Sequence, residues 1–144
     1  MQVGIHFSQK SFSPITSYIQ FEYTSLTDGF AEIFINKEQG KKKKIRLSGD
    51  VFSQEPWKEH LIGCMIDFDV SDNPIKSGVF GSSQLLGYNG DEDLVFTIDK
   101  LVGDWVRIRC ANICDVPCSS GDKYNGWIRW KDKTRLLIRL VYAC

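Results

Sequence analysis

Stretch after stretch of this 144-residue chain alternates apolar with polar side chains, and no segment sustains a helical period. Ile19, Phe21 and Tyr23 alternate with Gln20, Glu22 and Thr24. Ala31, Ile33 and Ile35 alternate with Glu32 and Asn36, with Phe34 breaking the polar face. Cys64, Ile66, Phe68 and Val70 alternate with Met65, Asp67 and Asp69. Leu94, Phe96 and Ile98 alternate with Val95, Thr97 and Asp99, and Val106, Ile108 and Cys110 with Arg107 and Arg109. A period of two sends successive side chains to opposite faces of a strand, so each run offers one apolar face to a core. The fold class expected is all-β, with less than about one-fifth helix. The one helical candidate is Pro56 to Leu61, where Pro56 suits a first turn.

Turn residues separate the runs. Asp28-Gly29 divides the first two, and Gln39-Gly40 makes a hairpin of Phe30–Asn36 with Lys44–Leu47. Gly103-Asp104 makes a second hairpin of Leu94–Asp99 with Trp105–Cys110. Pro74 pushes Asn73 out of the helical region and ends the strand before it. The chain is long enough for a core without metal or disulfides. No apolar run approaches the length of a membrane span, and the first residues lack the basic-then-apolar pattern of a signal peptide. The compartment stays open: cytoplasm or, if a signal peptide has been trimmed, bacterial envelope or secretion.

Lysines and arginines balance aspartates and glutamates, 18 against 18, so no bulk field draws the chain to nucleic acid. Lys41-Lys42-Lys43-Lys44 is the sharpest local run. It fits a solvated hairpin tip, where lysines also discourage edge-to-edge pairing, better than an anion site.

The order of parts from Leu61 to Cys144 has a known counterpart. A strand over Ile62–Val70 precedes a long loop, Ser71 to Asp91. A strand over Asp93–Ile98, a tight turn, Gly103-Asp104-Trp105-Val106-Arg107-Ile108 and Gly126-Trp127-Ile128 follow, then a turn at Asp132-Lys133 and a strand over Leu136–Val141. The two glycine-led strands resemble the "G-x-W-x-K-V" and "G-W-V/I" strands of bacterial SH3-like domains, each glycine permitting a tight turn. The family's "N-V-R-x-G-P" signature is absent, with Asp72-Asn73-Pro74-Ile75 a faint echo. The resemblance implies an SH3-like barrel over residues 60–144. Residues 1–59 are expected to form small antiparallel hairpins packed on it, since no linker separates the two.

Cys110, Cys114 and Cys118 recur every four residues, and with Cys64 and Cys144 make an odd total of five. Three outcomes stay open: a metal centre completed by His60 or Cys144, a disulfide within the loop, or free and buried thiols, the last being the default. The cysteines are expected to be dispensable for folding, a melt shifting by only a few degrees under reductant and chelator. His60 and Cys64 stand four apart, roughly 13 Å along a strand, which is too far for a catalytic dyad. Asp67, Asp69 and Asp72, with Asp91, Glu92 and Asp93, lack the glycine and distal glutamate of a calcium loop and fit a solvated face.

Trp105 and Trp127 fall opposite the core residues Val106, Ile108 and Ile128, and so face outward on neighbouring strands; Trp130 shares the Ile128 face. An outward indole pair suits a peptide platform, unless residues 1–59 or a loop cover it. The function expected is a non-catalytic binding module for a peptide, cell-wall or protein partner, with no cofactor, metal or catalytic residue, no nucleic acid and no membrane insertion. The alternative is a small bacterial immunity or inhibitor protein that blocks a partner's active site. If the indoles are covered, the Ser71–Asp91 and Ala111–Asn125 loops inherit the role.

Overall fold

The computed structural model describes residues 3–8, 18–48, 52–133, 135–142 and 144, and divides into two units, 1–60 and 61–144. With 46% strand and 4% helix, the chain is all-β, as the alternation requires.

The first unit is a five-stranded antiparallel sheet of β1 (Val3–Ser8), β2 (Tyr18–Thr27), β3 (Phe30–Asn36), β4 (Lys41–Arg46) and β5 (Phe52–Pro56), ordered β4-β3-β2-β1-β5. Asp28 and Gly29 both take positive φ, 49° and 78°. That is the two-residue turn whose twist suits a hairpin. Ala31 and Ile33 are buried on one face of β3, with Tyr23, Ile45 and Leu47 packed against them. The lysine run is not a hairpin tip: Lys41 to Lys44 are strand residues of β4, with the turn before them at residues 37–40. The register starts there because Gly40, at φ 63°, completes the turn before the lysines. β4 ends the sheet, and an exposed row of charge on an edge strand deters a further strand. Lys42 pairs with Glu32 at 3.1 Å and lies over the Phe34 ring. The sole helix among the described residues, α1 (Trp57–Leu61), begins one residue after Pro56, which closes β5.

The second unit has a five-stranded antiparallel sheet of β6 (Met65–Phe68), β7 (Phe96–Val102), β8 (Trp105–Cys110), β9 (Gly126–Arg129) and β12 (Ile138–Val141), in the order β12-β6-β7-β8-β9. A two-stranded ribbon, β10 (Lys131–Asp132) and β11 (Arg135–Leu136), precedes β12. The pairings run from β12 to β9 as an open order, where a closed barrel was expected. Two strand boundaries also differ from those read off the alternation. β6 is shorter than Ile62–Val70. β7 starts at Phe96 and continues to Val102 across a bulge between Ile98 and Lys100. The bulge lets Asp99 reach neighbouring side chains while both flanks stay paired. Ile66, Phe96, Ile98, Val106, Ile108 and Ile128 form the buried face.

Two features fasten the long loop after β6 to β9. Asn73 is 6% exposed, and its amide replaces a strand: Nδ2 donates to the Arg129 carbonyl at 2.7 Å, and the Arg129 N–H donates to Oδ1 at 3.0 Å. Lys76 exchanges both backbone hydrogen bonds with Trp127, at 2.9 and 2.8 Å. Gly126 makes the approach possible. A Cβ there would stand 2.5 Å from the Lys76 carbonyl oxygen and 2.7 Å from both Ile75 and Leu86 side chains. Its role is thus close approach within a strand rather than the turn expected of it, whereas Gly103, at φ 56°, does serve a turn. Asn73→Ala strips two backbone groups of their partner and should cost about 2 kcal/mol in a urea denaturation of the whole chain. A loss below about 0.5 kcal/mol would show that water replaces the amide without penalty.

Four of the five cysteines form disulfides, Cys110–Cys118 and Cys114–Cys144. This corrects the expectation of free thiols. Cys110 ends the strand paired with Phe96, and the loop folds back on itself: the Cys110 N–H donates to Asn125 Oδ1 and the Cys118 N–H to Asn112 Oδ1. These bonds hold Cys110 and Cys118 close, and the backbone takes positive φ at Cys114 and Asp115, beside the second bridge. Cys64 takes no part in either bridge.

Candidate functional site

The outer face of the second sheet gathers aromatic and charged side chains. In the β8–β9 register, Trp105 stands opposite Arg129 and Trp127 opposite Arg107. Alternation then places Trp105, Arg107 and Arg109 of β8, with Trp127 and Arg129 of β9, on the side away from buried Val106, Ile108 and Ile128. The two tryptophans therefore share a face on adjacent strands and lie diagonally to each other. Both are half-buried, and the Lys76 ammonium lies over the Trp105 ring, 5.3 Å from its centroid. Part of the cover comes from the loop after β6. Trp130 is on the inner side, 4% exposed, its indole N–H donating to the Gly103 carbonyl at 2.9 Å.

Charge surrounds the indoles. Arg107 grips Asp99 with two hydrogen bonds, at 2.7 and 2.8 Å. Those bonds and the Asp99 charge raise the pKa of its guanidinium. Arg109 approaches the same carboxylate at 3.7 Å, and Arg129 pairs with Asp132 at 3.2 Å. Lys76, Arg107, Arg109 and Arg129 thus face two carboxylates, Asp99 and Asp132, which leaves the face cationic although the chain as a whole is neutral.

The sheet continues beyond β9. Leu85 bridges Lys76, which bridges Trp127, which pairs with Arg107, so these four residues form one row across the same face. Between Lys76 and Leu85 the chain makes a small hairpin. Ser77 N–H donates to the Gln84 carbonyl, Gln84 N–H to Ser77 Oγ, and Ser83 N–H to the Phe80 carbonyl. Phe80 at its tip is 79% exposed and Leu85 63% exposed. Periodicity could not find these residues, because the segment has none. The available signal was a large aromatic set between glycines and serines, in Ser77-Gly78-Val79-Phe80-Gly81-Ser82-Ser83.

The acidic candidates do not form one cluster. Asp67 pairs with Arg139 across β6 and β12. Asp69 accepts from the Ser71 hydroxyl and N–H, which lower its pKa. Asp67, Asp69, Asp72, Arg135, Leu136 and Arg139 border a groove of about 370 Å³. Glu92 is not on a solvated strand face: its carboxylate accepts from Tyr124 and Ser120, and its carbonyl from Tyr88. Burial raises the Tyr88 pKa, so that phenol stays neutral beside the Phe96 and Tyr124 rings. His60 sets its ring edge-on to Trp57. Among the described residues no three His, Cys, Asp or Glu side chains converge as metal ligands, and no helix is long and apolar enough to cross a membrane.

Compared with protein-family models, curated proteins and solved structures, the chain matches none.

Proposed function

We propose that the chain is a non-catalytic binding module whose second unit is an SH3-like domain that engages a protein or peptide partner. The observation that carries this is the outer face of β8 and β9, where Trp105 and Trp127 sit among Arg107, Arg109, Arg129 and Lys76. Half-buried indoles set among cations favour a partner that supplies both apolar and acidic groups. The strand order supports the SH3-like reading, since β12 returns beside β6 and the remaining strands follow in sequence. The two disulfides support an envelope or secreted setting over the cytoplasm, because such bonds persist in oxidising compartments.

The test is capture from a native-host extract with wild-type chain and with Trp105→Ala and Trp127→Ala. One stoichiometric protein, retained by wild type and lost by both variants at unchanged fold, is expected. A parallel sedimentation with purified cell wall distinguishes the other partner class. Failure to retain either protein or wall, or equal retention by all three chains, would remove this face as the binding site.

A further inference from the structure

We infer that the hairpin between Lys76 and Leu85 is the anchor of the interface, its Phe80 entering an apolar pocket on a partner protein whose rim carries carboxylates. This rests on the binding-module reading and adds to it the partner's chemistry. Phe80 is the most exposed large apolar side chain among the described residues, at 79%, and contributes little to the chain's own core. It is held out on a closed structure rather than a slack loop. The hairpin's cross-bonds at Ser77, Phe80, Ser83 and Gln84 hold its shape, and Lys76 is locked to Trp127. A side chain presented on a fixed frame loses little ordering entropy on binding, and buried aromatic anchors dominate interface energetics.

The surroundings specify the pocket. From Ser77 to Gly90 the chain holds no charged residue, so the tip suits a desolvated cavity. Immediately beside it the Leu85, Lys76, Trp127 and Arg107 row begins, and the face behind has four cations to two carboxylates. A pocket that takes Phe80 brings its rim against this row, and an acidic rim is the complement.

The test uses the protein retained by the wild-type chain, purified and titrated calorimetrically. Phe80→Ser should weaken binding by at least about 30-fold with the melting transition unchanged. Ile35→Ser, an equally exposed kind of change in the other unit at 56% exposure, should leave affinity within about threefold. Arg109→Glu should weaken binding by roughly tenfold, and wild-type binding should weaken as ionic strength rises. If the tryptophan variants lose the partner while Phe80→Ser binds within about threefold of wild type, the anchor is overturned and the binding-module reading stands. If no protein is retained at all, both fall. Indifference to salt overturns the acidic rim. Sedimentation showing self-association abolished by Phe80→Ser would overturn the proposal in favour of a second copy. Phe80-dependent binding to phosphatidylcholine–phosphatidylglycerol vesicles would overturn it in favour of a lipid surface.

Discussion

Trp130→Ala is expected to lower stability by about 3–5 kcal/mol in urea denaturation, the range for truncating a buried tryptophan. Its ring is almost wholly removed from water, and its N–H satisfies the Gly103 carbonyl at the β7–β8 turn. Its backbone also ties that turn to the connection before β12: the Trp130 N–H donates to the Asp104 carbonyl, and the Leu137 N–H to the Trp130 carbonyl. Truncation therefore removes apolar burial and leaves a carbonyl without its donor. Trp105→Ala and Trp127→Ala remove half-buried rings from the opposite face, and about 1–2 kcal/mol is expected for each. The contrast is diagnostic. Equal, large losses at all three positions would mean that the outer indoles serve packing, and the proposed binding face would move to the loops.

Loss of the Cys114–Cys144 bridge is the second large effect. The two residues are 30 apart, and closing a loop of that length in the unfolded chain is worth about 3–4 kcal/mol on the chain-entropy account. Cys114→Ser combined with Cys144→Ser, which avoids stranding a thiol, should lose most of this relative to the oxidised wild type. The shorter Cys110–Cys118 loop is worth less, about 2–3 kcal/mol. The expectation that the cysteines are dispensable rested on core size alone, and the two bridges predict a cost in its place. A double variant within about 0.5 kcal/mol of wild type would restore that expectation.

What was legible in the sequence followed local periodicity. Val106, Ile108, Ile128 and Trp130 are buried, and Trp105 and Trp127 are on the other face, because a period of two leaves no other assignment once the strands exist. The hairpin turns at Asp28-Gly29 and Gly103-Asp104 were legible for the same local reason. What escaped depends on residues far apart in the chain. Asn73 meets Arg129 across 56 positions, and nothing near Asn73 announces that its amide will stand in for a strand. Gly126 reads as a turn glycine until the carbonyl of Lys76 is seen against it. The cysteine spacing is compatible with several pairings, and the bridge from Cys114 to Cys144 joins residues 30 apart in the chain. Phe80 lies in a segment with no period, so neither face could be assigned to it.

The free edge of β9 is already taken. Trp127 spends its outward N–H and carbonyl on Lys76, and Arg129 spends both on the Asn73 amide. An extended peptide therefore cannot add itself to the sheet there by main-chain ladder bonds, a mode of recognition that is tolerant of sequence. Whatever docks beside β9 must be read through side chains alone. Exchanging an arginine or the hairpin-tip residue would therefore change the side chains offered at this edge without disturbing any backbone pairing.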